Sequence, residues 1–208
     1  MESKSSQDNN LLHPIEAIVD GKTLSEWIIE YWKTYIGKQT SLNNNPNDRS
    51  KLTDNCFVLG KKDNVVFLPS LYAPHKPSYS CTFTTSNSFF FPLFSEECDY
   101  STLDSDGQLQ QGVNERNDYA QGKLFLDNVE VTDLSNYRIT TDFFEITYEE
   151  LNPYNAPPGT YRALINGLFI FLKPLSMGDH VLKYTVTQKL PSLNHHYTSA
   201  ITYYITVV

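Results

Sequence analysis

Residues 81–99 read CTFTTSNSFFFPLFSEECD. Phe89, Phe90, Phe91, Leu93 and Phe94 make a buried-strand signal, because aromatic side chains suit a pleated, half-buried surface. The run ends in Glu96, Glu97, Cys98 and Asp99, which delivers carboxylates and a thiol to one strand end. Side chains alternate across a strand, so Glu96 and Cys98 share one face and Glu97 and Asp99 the other. Pro92 has no N–H to give a neighbour, so the strand needs a bulge or lacks a ladder partner there.

Further strands are expected on both sides. Before it, Ser80–Thr84 is a strand and Ser86-Asn87 a turn, while Cys56–Gly60 and Val65–Tyr72 flank KKDN as a hairpin. After it, Tyr100–Tyr119 is polar and reads as a long loop, with a helical turn within it as an alternative and DSDG at 104–107 as a turn. Leu124–Leu126 and Val129–Val131 flank Asp127-Asn128 as a second hairpin, and Tyr137–Thr140 and Phe143–Tyr148 follow as strands. NPYNAPPG (152–159) is a surface loop. Tyr161–Leu172 is a strand with a bulge expected at Asn166-Gly167, His180–Gln188 alternates, and Ala200–Val208 closes the chain.

One clear helix precedes the strands. Thr23 or Ser25 can cap it, with Glu26 in the capping-box place after Thr23. Leu24, Trp27, Ile28, Tyr31, Trp32 and Tyr35 recur at three- and four-residue steps, an amphipathic stripe over 24–36 closed by Gly37. Both tryptophans of the protein lie in it. Such a stripe ordinarily anchors a helix on a sheet; the sharper alternative is an aromatic binding pair. Residues 1–10 are polar and expected to be disordered, Leu11–Val19 is a short docking segment, and Gln39–Asn55 is an Asn-rich loop. Residues 11–208 therefore read as one domain, long enough to bury a core without metal or disulfides. The expected architecture is all-β: an antiparallel β-sandwich, a jelly roll being one arrangement of it, with the amphipathic helix packed against it.

The formal net charge of −8 repels phosphate backbones and anionic lipid, which disfavours nucleic acid and membrane surfaces as partners. No apolar run approaches the roughly 20 residues that span a bilayer. The opening MESKSSQDNN lacks the apolar core of a signal peptide, so the expectation divides between a protein kept in the cytoplasm and one whose leader has been removed.

Taken in order, EWIIEYW (26–32), NNP (44–46), Cys56, VVFL (65–68), Cys81, FFFPL (89–93), EEC (96–98), LDNVEVTDLSNYR (126–138) and INGLFIFLKPLSMGDH (165–180) resemble an uncharacterised family of mostly secreted bacterial and archaeal proteins. The chain departs where that family tends to have Asp-Gly, carrying Asn128 and Asn166. The resemblance implies a compact β-sandwich and export to the outside or the cell surface; it implies no activity.

Three cysteines allow one disulfide and one thiol, or three thiols. Cys56 and Cys81, each at the start of a strand, are the expected pair, with Cys98 bonded to either as the alternative. Glu96, Glu97, Asp99 and His180 are the candidate catalytic residues. A carboxylate turned into the protein has a raised pKa and suits general acid work; the plain alternative is a strand end opening to solvent, its acids paired with Arg116 or Arg138. Paired carboxylates also suit Ca²⁺, although the 96–106 segment lacks an EF-hand's bidentate Glu spacing. His195-His196 cannot share an ion from opposite faces of a strand. His180, after Gly178-Asp179, is expected to make a backbone contact at a turn. No nucleophile elbow, P-loop, Rossmann or zincin motif occurs, and nothing names a cofactor. The leading expectation is a non-enzymatic extracellular binding or structural module for a protein or carbohydrate ligand, with Trp27, Trp32 and Tyr72 as contact aromatics. The alternatives are a hydrolase, glycan-directed in one version, and a calcium-binding domain.

Overall fold

The computed structural model describes residues 11–41, 56–69, 78–118, 120–152, 154–190 and 195–208. The expected disordered N-terminus, most of the Asn-rich loop and Tyr72 lie outside them. Helix α1 spans Leu24–Ser41. Its start is a reciprocal capping box: Thr23 N donates to Glu26 Oε2 at 2.8 Å, and Glu26 N donates to Thr23 Oγ1 at 3.3 Å. The helix passes through Gly37 rather than ending before it. A glycine at C′ stops a helix by turning left-handed, and Gly37 is not among the glycines with positive φ.

The strands are β1 (Gly60–Lys62), β2 (Val65–Phe67), β3 (Ser78–Phe83), β4 (Ser88–Asp99), β5 (Ala120–Leu126), β6 (Val129–Val131), β7 (Arg138–Thr140), β8 (Phe144–Tyr148), β9 (Gly159–Leu172), β10 (Gly178–Leu190) and β11 (His195–Val207). They form two sheets. In the first the order is β1-β2-β4-β9-β7, with β8 also on β9; in the second it is β3-β11-β10-β5-β6. Ala163 pairs with both Asp99 and Phe144, and Leu168 with both Phe94 and Arg138, so β7 and β8 follow one another along the edge of β9 away from β4. The β-sandwich with a packed helix is as expected, and most pairings are antiparallel. Two are parallel, β2 with β4 and β3 with β11.

Phe89, Phe90 and Phe91 are all fully buried because the first sheet is covered on both faces. Phe89, Phe91 and Leu93 enter the core between the sheets, where Phe91 stacks on Tyr184 of β10 at 4.7 Å. Phe90 points the other way, among Trp27, Tyr31 and Phe169 beneath α1. The irregularity that Pro92 requires falls between Pro92 and Phe94, which oppose Phe169 and Leu168 and leave Leu93 as the extra residue. Asn166-Gly167 is not a bulge; both residues pair regularly, with Glu96 and Ser95. Gly167 is there for close approach, since a Cβ would lie 2.5 Å from Phe94 O.

Where the sequence predicts a loop with at most a helical turn, the chain forms a full helix, α2, Asp106–Asn117. Ser105 caps it and Asp106 lies in its first turn, so DSDG is a helix start rather than the expected turn. Leu109 and Val113 bury one side of α2 against Leu164 and Cys98, so α2 covers part of the first sheet that the second does not reach. Neither described helix is long and apolar enough to cross a membrane.

Cys56 and Cys81 form a disulfide. The reason differs from the expected one. Cys56 precedes β1 in irregular chain, and Cys81 lies within β3 of the other sheet. The bond therefore crosses between the sheets. Cys98 keeps its thiol.

Candidate functional site

β4 does not open to solvent at its acidic end. It stays paired with β9 as far as Asp99, opposite Ala163. The alternation expected from sequence holds: Cys98 packs toward α2, while Glu97 and Asp99 turn to the other face, where Tyr148 of β8 meets them. Tyr148 Oη donates to Asp99 Oδ2 at 2.5 Å and lies 3.4 Å from Glu97 Oε2. Asp99 is buried, and its Oδ1 accepts from Ser101 N at 2.7 Å. Glu97 Oε1 is buried without a hydrogen-bond partner among the described residues.

Burial first, and then the Asp99 charge, hold the Glu97 carboxyl well above the usual carboxylate range; the hydrogen bond from Tyr148 opposes this and is outweighed. Burial and the same two acids push the Tyr148 phenol upward, so it remains a donor. The resulting unit is the Glu97 carboxyl, whose protonated form is favoured, a tyrosine hydroxyl and the Asp99 side chain, held side by side. A glycosidase pair must instead flank the scissile bond and leave room for sugar between its carboxyls. Here a tyrosine fills that place.

Of the two expected arginine partners, Arg138 does not serve these acids. Arg138 goes to Asp118 at 2.9 Å and to Asn166 Oδ1 at 3.4 Å. The side chain of Arg116 lies outside the described residues. Glu96 faces the α2 side with Cys98. Arg162, which drew no attention in the sequence, grips Asp106 through two hydrogen bonds at 2.9 and 3.1 Å and lies over the Phe143 ring. Tyr100 also donates to Asp106. Among the described residues no three His, Cys, Asp or Glu side chains come together as a metal site would require.

His180 is on β10, in the other sheet. Phe91 meets Tyr184, and Leu93 lies beside Gly122, which pairs with Val186; β4 and β10 therefore run the same way. This places His180 toward the end away from Glu97. Its Nδ1 donates to Asp127 Oδ2 at 2.8 Å and its Nε2 to Ser176 O at 2.9 Å. The Asp127 carboxylate and the Ser176 carbonyl both accept, which favours the protonated ring, and the Ser176 hydroxyl also lies 3.3 Å from Nε2. Burial works against the charge, but Asp127 and the Ser176 carbonyl outweigh it and raise the pKa. The backbone contact expected at this turn is present, and the ring is a clasp between the β5–β6 and β9–β10 connections.

Two of the three expected contact aromatics, Trp27 and Trp32, are spent on the core, and Tyr72 lies outside the described residues. Trp27 is fully buried, donates Nε1 to Val19 O at 3.0 Å and carries Lys22 over its ring; Trp32 is also buried. Both serve to anchor α1.

Two clefts are lined by other residues. One, of about 340 Å³, lies by Lys33, Ile36, Ile146 and Glu149. The other, of about 270 Å³, lies between the N-terminal segment 12–16 and residues 131–137. Tyr148 and both clefts escaped the sequence reading, because each depends on which strands become neighbours.

No family model and no curated protein matches the sequence. Among solved structures, the structure of PbICP-C in complex with falcipain-2 aligns over 70% of this chain and 100% of that chain, at 10% identity and a TM-score of 0.28.

Proposed function

We propose that this chain is a non-enzymatic binding module that works outside the reducing cytoplasm. The observation that carries the reading is the separation of its reactive groups. Glu97 and Asp99 close on Tyr148 toward one end of the sandwich, and His180 is held by Asp127 and Ser176 toward the other. Neither described cleft is lined by any of them. The inter-sheet disulfide supports the compartment, because such bonds persist where thiols are not continually reduced. Export is also what the resemblance implies.

One observation favours a second reading. Burial that raises a carboxyl's pKa is how a general acid is prepared, and Glu97, held beside Asp99 and Tyr148, has that character. The test treats the full chain with chromogenic glycosides and esters, alongside Glu97→Gln. The module reading expects no turnover from either. Turnover that disappears in Glu97→Gln would establish the hydrolase instead. The compartment is tested by thiol titration of protein isolated from its own cells: one thiol in denaturant before reduction and three after is expected, and three from the start would overturn it.

A further inference from the structure

The 270 Å³ cleft joins the two sheets. Leu12 is bridged to Leu172 of β9 in the first sheet, and Val131 pairs with Leu124 in the second. Both walls are therefore fixed by backbone pairing. Leu12 and Val131 are buried and, with half-buried Ile15, give an apolar floor. The remaining lining includes Glu16, Asp133 and Tyr137.

Their charge is not balanced among the described residues. The described lysines and arginines in ion pairs are taken up by Glu30, Glu130, Asp118 and Asp106. Neither Glu16 nor Asp133 has a cationic partner among the described residues, and Asp133 meets only the Thr132 hydroxyl, at 3.5 Å. The Tyr137 hydroxyl, half-buried beside the Glu16 charge, also has no hydrogen-bond partner among them. The other cleft carries its own balance in Lys33 and Glu149. A space of this size falls just below the roughly 300–1,000 Å³ of sites for drug-sized ligands, so it suits one long side chain.

We propose that this cleft receives a lysine side chain of a partner polypeptide. The aliphatic stem lies on Leu12, Ile15 and Val131, as lysine stems do on apolar surface. The ammonium has three donors for acceptors at Glu16, Asp133 and Tyr137. An organic cation is favoured over Ca²⁺, which needs about six to eight oxygens.

This rests on the binding-module reading and has its own readout. The full chain is titrated with N-acetyl-lysine methylamide and its uncharged norleucine counterpart at about 150 mM salt, where screening beyond about 8 Å leaves contact pairs dominant. Amide NMR shifts are expected to saturate at residues 15–16 and 131–137. Norleucine should bind at least about tenfold more weakly, and so should lysine to Glu16→Gln/Asp133→Asn, a change at two exposed positions that leaves the fold intact. Non-saturating shifts over the whole acidic surface would overturn the proposal, as would equal binding of norleucine or an unaltered double variant. Such a failure without enzymatic turnover removes this ligand and keeps the module. Turnover lost in Glu97→Gln removes the module whatever the cleft does.

Discussion

Glu97 is the residue at which pH should reach the fold. Its carboxyl is held above the ordinary value of 4.5, so the folded chain keeps a proton that the unfolded chain releases. Stability attributable to Glu97 is therefore full below that ordinary value, falls as pH rises toward the folded value, and stays low above it. Glutamine copies the protonated form. Glu97→Gln is expected to stabilise the chain by roughly 1–3 kcal/mol near pH 8, the scale of a buried polar group left unsatisfied, and to change little near pH 4. Urea midpoints across pH measure this, and a variant less stable at both ends would refute it. His180 has the opposite charge type. Its folded pKa is raised, so its contribution is complete below 6.5 and is lost as pH rises through the folded value. His180→Gln should thus cost most near about pH 6 and least near pH 9. A cost independent of pH would mean that the ring acts through packing rather than through Asp127.

At the scale of elements, α2 shows what a sequence hides. Its apolar signal is only Leu109 and Val113, four residues apart in a polar stretch, because it buries one narrow side. Its start was written in Ser105 and Gln108, whose N–H donates to the serine hydroxyl at 3.4 Å, and Gly107 obscured it as a turn residue. By contrast, α1 and β4 were legible because each carries a long run of large apolar groups with one period. The Asp127-Asn128 hairpin was legible because both residues take left-handed φ, at 52° and 66°, as a two-residue turn demands. Which strands become neighbours was not legible, and with it went the parallel pairs and the meeting of Tyr148 with Asp99. α2 also makes a prediction. Gly112 faces Cys98, and a Cβ there would sit 2.8 Å from its sulfur. Alanine would ordinarily gain a helix about 1 kcal/mol. Overpacking costs about 1–3 kcal/mol, so Gly112→Ala should be net destabilising. Cys98→Ala in the same chain should restore the gain. Gly107, with open space around it, is the control in which alanine does no harm. A double-mutant cycle by urea unfolding decides this, and additive effects would exclude the close approach as the reason for the glycine.

Across the whole molecule, the two sheets are held by more than their shared core. Cys56 is bonded to Cys81, Tyr203 Oη donates to Phe57 O at 2.5 Å, and Tyr184 Oη donates to Pro69 O at 2.7 Å. Each link joins the 56–69 segment to the second sheet. The tyrosines bring an otherwise awkward hydroxyl into the core and use it on backbone carbonyls, which is why tyrosine, and not only phenylalanine, occupies this interior. The disulfide closes a separation of 25 residues. Cross-linking a loop of that length removes unfolded-state entropy equivalent to about 3–4 kcal/mol. For a chain of this size that corresponds to roughly 10 °C in Tm. Cys56→Ala/Cys81→Ala should therefore unfold at a distinctly lower urea concentration while keeping its strand circular dichroism, because the two tyrosine links and the core remain. The order of loss matters as well. If the 56–69 segment is bound to the second sheet chiefly by the disulfide, its amides should lose hydrogen-exchange protection in the double variant before those of β10 and β11 do. A loss below about 1 kcal/mol, or protection lost uniformly, would show that the tyrosines alone hold the sheets together and that the bond is incidental to the fold.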